Sequence, residues 1–251
     1  MKKILLFIIT LFVCVVCYGA TFNQFWYIED NTPIQTSCTT GGDIILPTPP
    51  TKYGYDFIGW EKVPLTRIEY INTNSVAMID SGVIPTTTAD LYIHMRFKVK
   101  QVLGAVNGIW GYMADNLYPR FGFFINGGFG CGLNDTLDLG ISVTLNKIYD
   151  VYFENGVITL ENSSRNIGTH DTNNTFMPVY FGGRGNNRGI DAWPSNIDIY
   201  EFEISYGDTH KYFIPVLDGN GTPCMFDKVE GKFYYNAGTG DFIAGPVIGG
   251  E

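Results

Sequence analysis

Residues 91–100, LYIHMRFKVK, alternate strictly: Leu91, Ile93, Met95, Phe97 and Val99 fall on one side, Tyr92, His94, Arg96, Lys98 and Lys100 on the other. Successive side chains of a strand point to opposite faces, so this segment reads as an antiparallel strand with one face in a core and the other in water. Comparable patterns predict strands over 120–125, 148–153, 157–161, 179–181, 197–205 and 211–217, separated by turn residues such as Asn126-Gly127-Gly128. Asn155-Gly156, between YDVYFE and VITLE, supplies the two positive-φ residues of a tight hairpin. Towards the C-terminus, 224–227 and 232–235 are expected to pair around Glu230-Gly231, followed by a last short strand over 241–243. Beyond the first 20 residues no stretch has a helical period, so the expected fold class is all-β.

Composition agrees with that picture. Of 251 residues, 30 are Gly, 16 Tyr and 18 Phe, and only 16% are charged, the profile of short strands joined by tight turns. A hydrophobic content of 45% is ample for a real core. The first 20 residues, MKKILLFIITLFVCVVCYGA, join a basic start to an apolar run and end on small residues, which predicts an export signal and a secreted or cell-surface protein. No later stretch is apolar enough to predict a membrane span. Loss of Lys2 and Lys3 with the signal takes the formal charge from −9 to −11, which argues against a nucleic-acid partner. Three cysteines then remain, Cys38, Cys131 and Cys224, enough for at most one internal disulfide. One bridge and three buried thiols are both open.

Two resemblances organise the chain. GGDIILPTPPTKYGYDFIGW resembles the Listeria–Bacteroides surface repeat, a small β-grasp-like module, through Leu46, Pro47 and Pro49 followed by Gly54, Tyr55, Phe57, Gly59 and Trp60. Further on, IEYINTNSVAMIDSGVIPTTTADLYIHMRF, IDIYEFEIS and KYFIPVLDGNGTPCMFDKVEGKFYYNAGTGDFIAG resemble laminin-G-like, concanavalin A-type jelly rolls of bacterial surface proteins. Asn74 to Met78 depart from that pattern, where relatives more often carry a Gly and an aromatic. The resemblances imply a signal over 1–20, a surface repeat over 21–63, a link over 64–66, a jelly-roll sandwich over 67–246 and a tail over 247–251. They also imply a noncatalytic protein that binds a glycan or a surface protein.

Candidate chemistry is sparse. Glycosidases on this sandwich set three acids along one strand, and simple alternation in SNIDIYEFEIS places Glu201 and Glu203 on one face with Asp198 and Tyr200 on the other. The expected reading is a solvated face; for the protein as a whole, a carbohydrate-active hydrolase on the same fold and a purely structural surface module are the competing classes. His94, His170 and His210 lack the short-range spacing of metal sites, so neither metal nor cofactor is expected. Asp218, followed by Asn220 and Thr222, has too few carboxylates for a calcium loop and reads as a turn. For ligand binding, the candidates are Arg184, Asn186, Asn187, Arg188, Asp191 and Trp193 in one loop, which combine planar hydrogen-bonding groups with a ring, as sugars require. Trp110 and Tyr112 form a second candidate pair, with core packing as the alternative.

Overall fold

The computed structural model describes residues 2–9, 21–27, 34–39, 46–48, 55–63, 65–113, 120–133, 137–169, 178–183, 185–186 and 195–248. Every regular element among them is a strand. In chain order these are β1 (Lys2–Ile9), β2 (Thr21–Tyr27), β3 (Ile34–Thr39), β4 (Tyr55–Val63), β5 (Thr66–Arg67), β6 (Ile71–Asn72), β7 (Ile79–Asp80), β8 (Leu91–Gln101), β9 (Asn107–Met113), β10 (Arg120–Ile125) and β11 (Phe129–Leu133). There follow β12 (Leu137–Asp138), β13 (Ile148–Glu154), β14 (Val157–Leu160), β15 (Ser163–Asn166), β16 (Tyr180–Phe181), β17 (Gly185–Asn186), β18 (Asn196–Tyr206), β19 (Thr209–Leu217), β20 (Pro223–Asp227), β21 (Lys232–Tyr234) and β22 (Ile243–Ala244).

They form three sheets. The first has the order β3-β2-β1-β4, with β1 antiparallel to β2 and parallel to β4. Lys2–Ile9 is thus an inner strand of this sheet, although it lies in the segment expected to be an export signal. A strand flanked on both sides reads as an unbroken apolar run, the same pattern as a signal core. The second sheet has the order β12-β11-β10-β9-β16-β7, with β17 beside β9. The third runs β15-β14-β13-β8-β18-β19-β20-β21, with β5, β6 and β22 attached to it.

The second and third sheets pack face to face through a shared apolar cluster. Phe97 of β8 meets Phe123 of β10 and Phe129 of β11 edge-on at 6.0 and 6.1 Å, Phe121 of β10 meets Phe153 of β13 at 5.0 Å, and Phe181 of β16 stacks on Phe202 of β18 at 4.0 Å. Each fully buried ring contributes about 2 kcal/mol of apolar burial. The alternation of β8 is realised: Leu91, Ile93, Met95, Phe97 and Val99 are all in this core. A satellite cluster of Ile214, Val216, Cys224 and Phe226 forms on the opposite face of β19 and β20, under Leu65 and Phe233. Cys131 and Cys224 are free and buried in these two different clusters, and burial pushes both thiols up to about 12.

The hairpins follow their turn residues. Asn155 and Gly156 have φ of 50° and 77° and join β13 to β14. In β9 and β10, Gly111 lies opposite Gly122, and a Cβ on Gly111 would come within 2.2 Å of the Phe121 carbonyl oxygen, so this pair permits an approach closed to any other residue. Leu46, the first residue of the Leu-Pro motif, is coil and 58% exposed.

The turn between β19 and β20 needs no metal. Asp218 Oδ1 accepts from the amides of Asn220 and Thr222, each at 2.8 Å, and Oδ2 accepts from the Tyr235 hydroxyl at 3.0 Å. Burial works against the charge, but the Thr222 and Asn220 amides and Tyr235 outweigh it and hold the carboxyl below its ordinary range. A depressed carboxyl stabilises the fold above its unfolded pKa of about 4, and this contribution is lost as pH falls through the lower folded value. Asp218→Ala is therefore expected to lower stability by about 1 kcal/mol at neutral pH, with the difference from the unaltered chain vanishing in acid. Denaturant titrations at both pH values check this; a difference that grows in acid would contradict it.

Candidate functional site on the outer face of the large sheet

The polar alternates of β8 lie on the face of the third sheet that points away from the shared core. Residues directly opposite one another on adjacent strands share a face. On one side β13 sets Asp150 opposite Arg96 and Tyr152 opposite His94. On the other, β18 sets Glu201 opposite Arg96 and Glu203 opposite His94, and β19 continues with Tyr212 opposite Glu203. Four strands thereby assemble one patch from residues up to 118 positions apart in the chain.

His94 anchors it. Its ring stacks on Tyr152 with centroids 4.3 Å apart and planes 8° from parallel, and its Nε2 lies 3.2 Å from Asp150 Oδ1. Only 9% of His94 is exposed, whereas Tyr152 is 42% exposed and offers a flat surface. The Tyr212 hydroxyl donates to Glu201 Oε2 at 2.7 Å, and His210 Nε2 pairs with Glu203 Oε1 at 2.8 Å. Burial, then the Glu201 carboxylate, pushes the Tyr212 phenol up to about 12, so it remains a donor across the neutral range. A shallow groove of about 340 Å³ runs between His94, Glu201, Glu203, His210, Tyr212 and Val229. A roomier hollow of about 500 Å³ beside the closing hairpin, between Thr222, Tyr235 and Asp241, gathers far fewer ionisable groups.

Simple alternation along β18 fails at one point. The register shifts between Ile199 and Glu201, so Tyr200 is the extra residue of a β-bulge. Ile197 and Ile199 on one side of it, and Phe202 and Ile204 on the other, all enter the core. Asp198 therefore lies on the outer face with Glu201 and Glu203, not opposite them as strict alternation requires. It is nonetheless closed to solvent at 1% exposure. The Lys98 ammonium sits 2.9 Å from its Oδ2, and Asn72 Nδ2 donates to its Oδ1 at 2.8 Å and to Asn196 at 3.1 Å. Tyr70 and Tyr200 cover the ammonium at 5.0 and 5.4 Å from their ring centres. Burial works against the charge on Lys98, but the hydrogen bonds that it donates to Tyr200 and Asp198 prevail and hold the group above its ordinary range. Asp198 is a tie across β6, β18 and β8 rather than a free acid.

Of the residues expected to bind ligand, Trp110, Tyr112 and Asn186 are described. Trp110 and Tyr112 are core residues, 1% and 0% exposed, with Trp110 packed on Phe121, Phe123 and Phe153. Alternation through Gly111 turns both rings inward, so they offer no surface to a ligand. Asn186 belongs to β17, which pairs with β9 at Tyr112 and Met113. Arg184, Asn187, Arg188, Asp191 and Trp193 lie outside the described residues, as does His170. Sequence reading singled out His94, His210, Glu201 and Glu203 separately but passed over Asp150, Tyr152 and Tyr212. Asp150 and Tyr152 stand on the polar side of β13, whereas Tyr212 shares its face of β19 with the apolar Ile214 and Val216; only the register shows that they meet.

The tie at Asp198 has a measurable consequence. Asp198→Ala would strand Lys98 beside two rings and is expected to cost about 3 kcal/mol in unfolding free energy, while Asp198→Ala combined with Lys98→Met should cost clearly less. Chemical denaturation of both variants decides; a single-variant loss below about 1 kcal/mol would show the pair to be an ordinary surface contact. No family model, curated protein or solved structure matches this chain.

Proposed function

We propose that the chain is an exported, noncatalytic recognition protein that binds glycan on the outer face of the large sheet. The observation that carries this reading is the Tyr152 ring, 42% exposed and held flat against His94, beside a groove edged by Glu201, Glu203 and Tyr212. Sugars are held by an aromatic ring against their C–H face and by planar acceptors against their hydroxyls. Glu201 and Glu203 are positioned as acceptors, since each already has one fixed donor, Tyr212 or His210. The resemblance of residues 67–246 to laminin-G-like jelly rolls, and of residues 21–63 to a surface repeat, supports the same class of function. Export by the N-terminal segment is part of the proposal: cleavage after Ala20 would detach β1 and leave β2 and β4 without their shared neighbour.

A glycoside hydrolase is the competing reading, favoured by the bulge that puts Asp198, Glu201 and Glu203 on one face. Against it, Asp198 is sealed by Lys98 and Asn72, and the groove is shallow where a glycosidase needs a cleft around two carboxyls. A glycan-array screen of the purified chain, with and without calcium, tests the proposal. The expected result is binding to a defined group of glycans, weakened at least tenfold by Tyr152→Ala, with no product released from any bound sugar. Absence of binding to every glycan would sink the reading, and release of a reducing end would replace it with the hydrolase.

A further inference from the structure

We infer that His94, Asp150 and Glu201 form a binding site for a divalent first-row metal ion, with zinc as the best-suited member. The inference does not depend on glycan binding. One ligand-type atom from each of the three residues lies within 4.8 Å of the others, on three adjacent strands. A tetrahedral zinc ion with bonds of about 2.0–2.1 Å holds its ligands a little over 3 Å apart, a spacing that small side-chain rotations would reach from here. One imidazole nitrogen with two carboxylate oxygens suits zinc better than calcium or magnesium, which prefer sites built from oxygen alone.

Two further observations point to a cation. The first is that Asp150 and Glu201 converge on one point where, among the described residues, no Lys or Arg makes direct contact with either, although Arg67 and Lys228 attract Glu201 from a distance. Arg96 stands opposite both in the register, yet its side chain is exposed and turned to solvent instead of bridging them. The second is the way the ligands are held. His94 is nine-tenths buried and fixed by the Tyr152 ring, and Glu201 is oriented by the Tyr212 hydroxyl at 2.7 Å. Outer partners of this kind set the direction of metal-ligating groups and cost little when the ion arrives. The adjoining groove leaves a fourth position open on the side of Glu203 and His210. The rival reading is a direct hydrogen bond between His94 and Asp150 with no ion between them.

The test uses the full chain, stripped with chelator, and zinc chloride alone as the probe. Isothermal titration should show one zinc ion per chain. Asp150→Asn and Glu201→Gln should each weaken binding at least about tenfold, His94→Gln should abolish it, and Tyr212→Phe should weaken it without removing it. Cobalt(II) added to the unaltered chain should give the intense visible absorption of a low-coordinate site, a readout that does not depend on any variant folding. Absence of saturable one-to-one binding would overturn the inference and leave the His94–Asp150 hydrogen bond alone. Equal affinity in the unaltered chain and in the Asp150 and Glu201 variants would overturn it as well, placing any bound ion elsewhere.

Discussion

Strand β8 is paired along nearly its whole length on both sides, with β13 through seven register positions and with β18 through ten. Its alternation is therefore imposed on its neighbours: whatever β8 turns inward must be met by apolar side chains from β13 and β18, and whatever it turns outward must be met by polar ones. Phe97, Met95 and Ile93 inside, with His94, Arg96 and Lys98 outside, are the template for the sheet. The aromatic contacts that join the two packed sheets begin from these inner positions, and the polar patch begins from the outer ones.

The bulge at Tyr200 is where this template is broken and then restored. An extra residue on β18 reverses the phase of everything on one side of it, so Ile197 and Ile199 reach the same core as Phe202 and Ile204. The reversal also moves Asp198 from the core side to the outer side, where, at 1% exposure, an unpaired carboxylate would be costly. Lys98 and Asn72 meet that cost. Core packing and the polar tie thus have a common origin in one inserted position, while Glu201 and Glu203, on the other side of the bulge, keep access to solvent.

Much of the fold was legible along the chain. Tyr55–Trp60, residues 91–100, the Asn155-Gly156 hairpin and the pairing of 224–227 with 232–235 were all marked by alternation and turn chemistry, and all recur in β4, β8, β13–β14 and β20–β21. The segments passed over have physical reasons for being obscure. β9 and β11 are rich in glycine, with Gly108, Gly111, Gly130 and Gly132, so alternation has few side chains to show itself in. β1 was not marked as a strand because an unbroken apolar run, which an export signal also has, carries no phase. The outer-face patch was illegible for a different reason. His94, Asp150 and Glu201 are ordinary polar alternates of three strands, Tyr212 shares its face of β19 with Ile214 and Val216, and strand order and register, which bring them together, are properties of the whole fold. Trp110 and Tyr112 attracted notice by their size, which is what commits them to the core.

Core packing and the polar patch both depend on the register of β8 against β18, and interstrand NMR contacts test that register directly. The pairing described here predicts backbone contacts from Arg96 to Glu201 and from Phe97 to Ile199, with Tyr200 skipped, and from Lys98 to Asp198. An unbroken ladder would instead pair Phe97 with Tyr200 and Val99 with Asp198. Contacts of that second kind would turn Asp198 into the core and remove the basis for both the polar tie and the patch beside it.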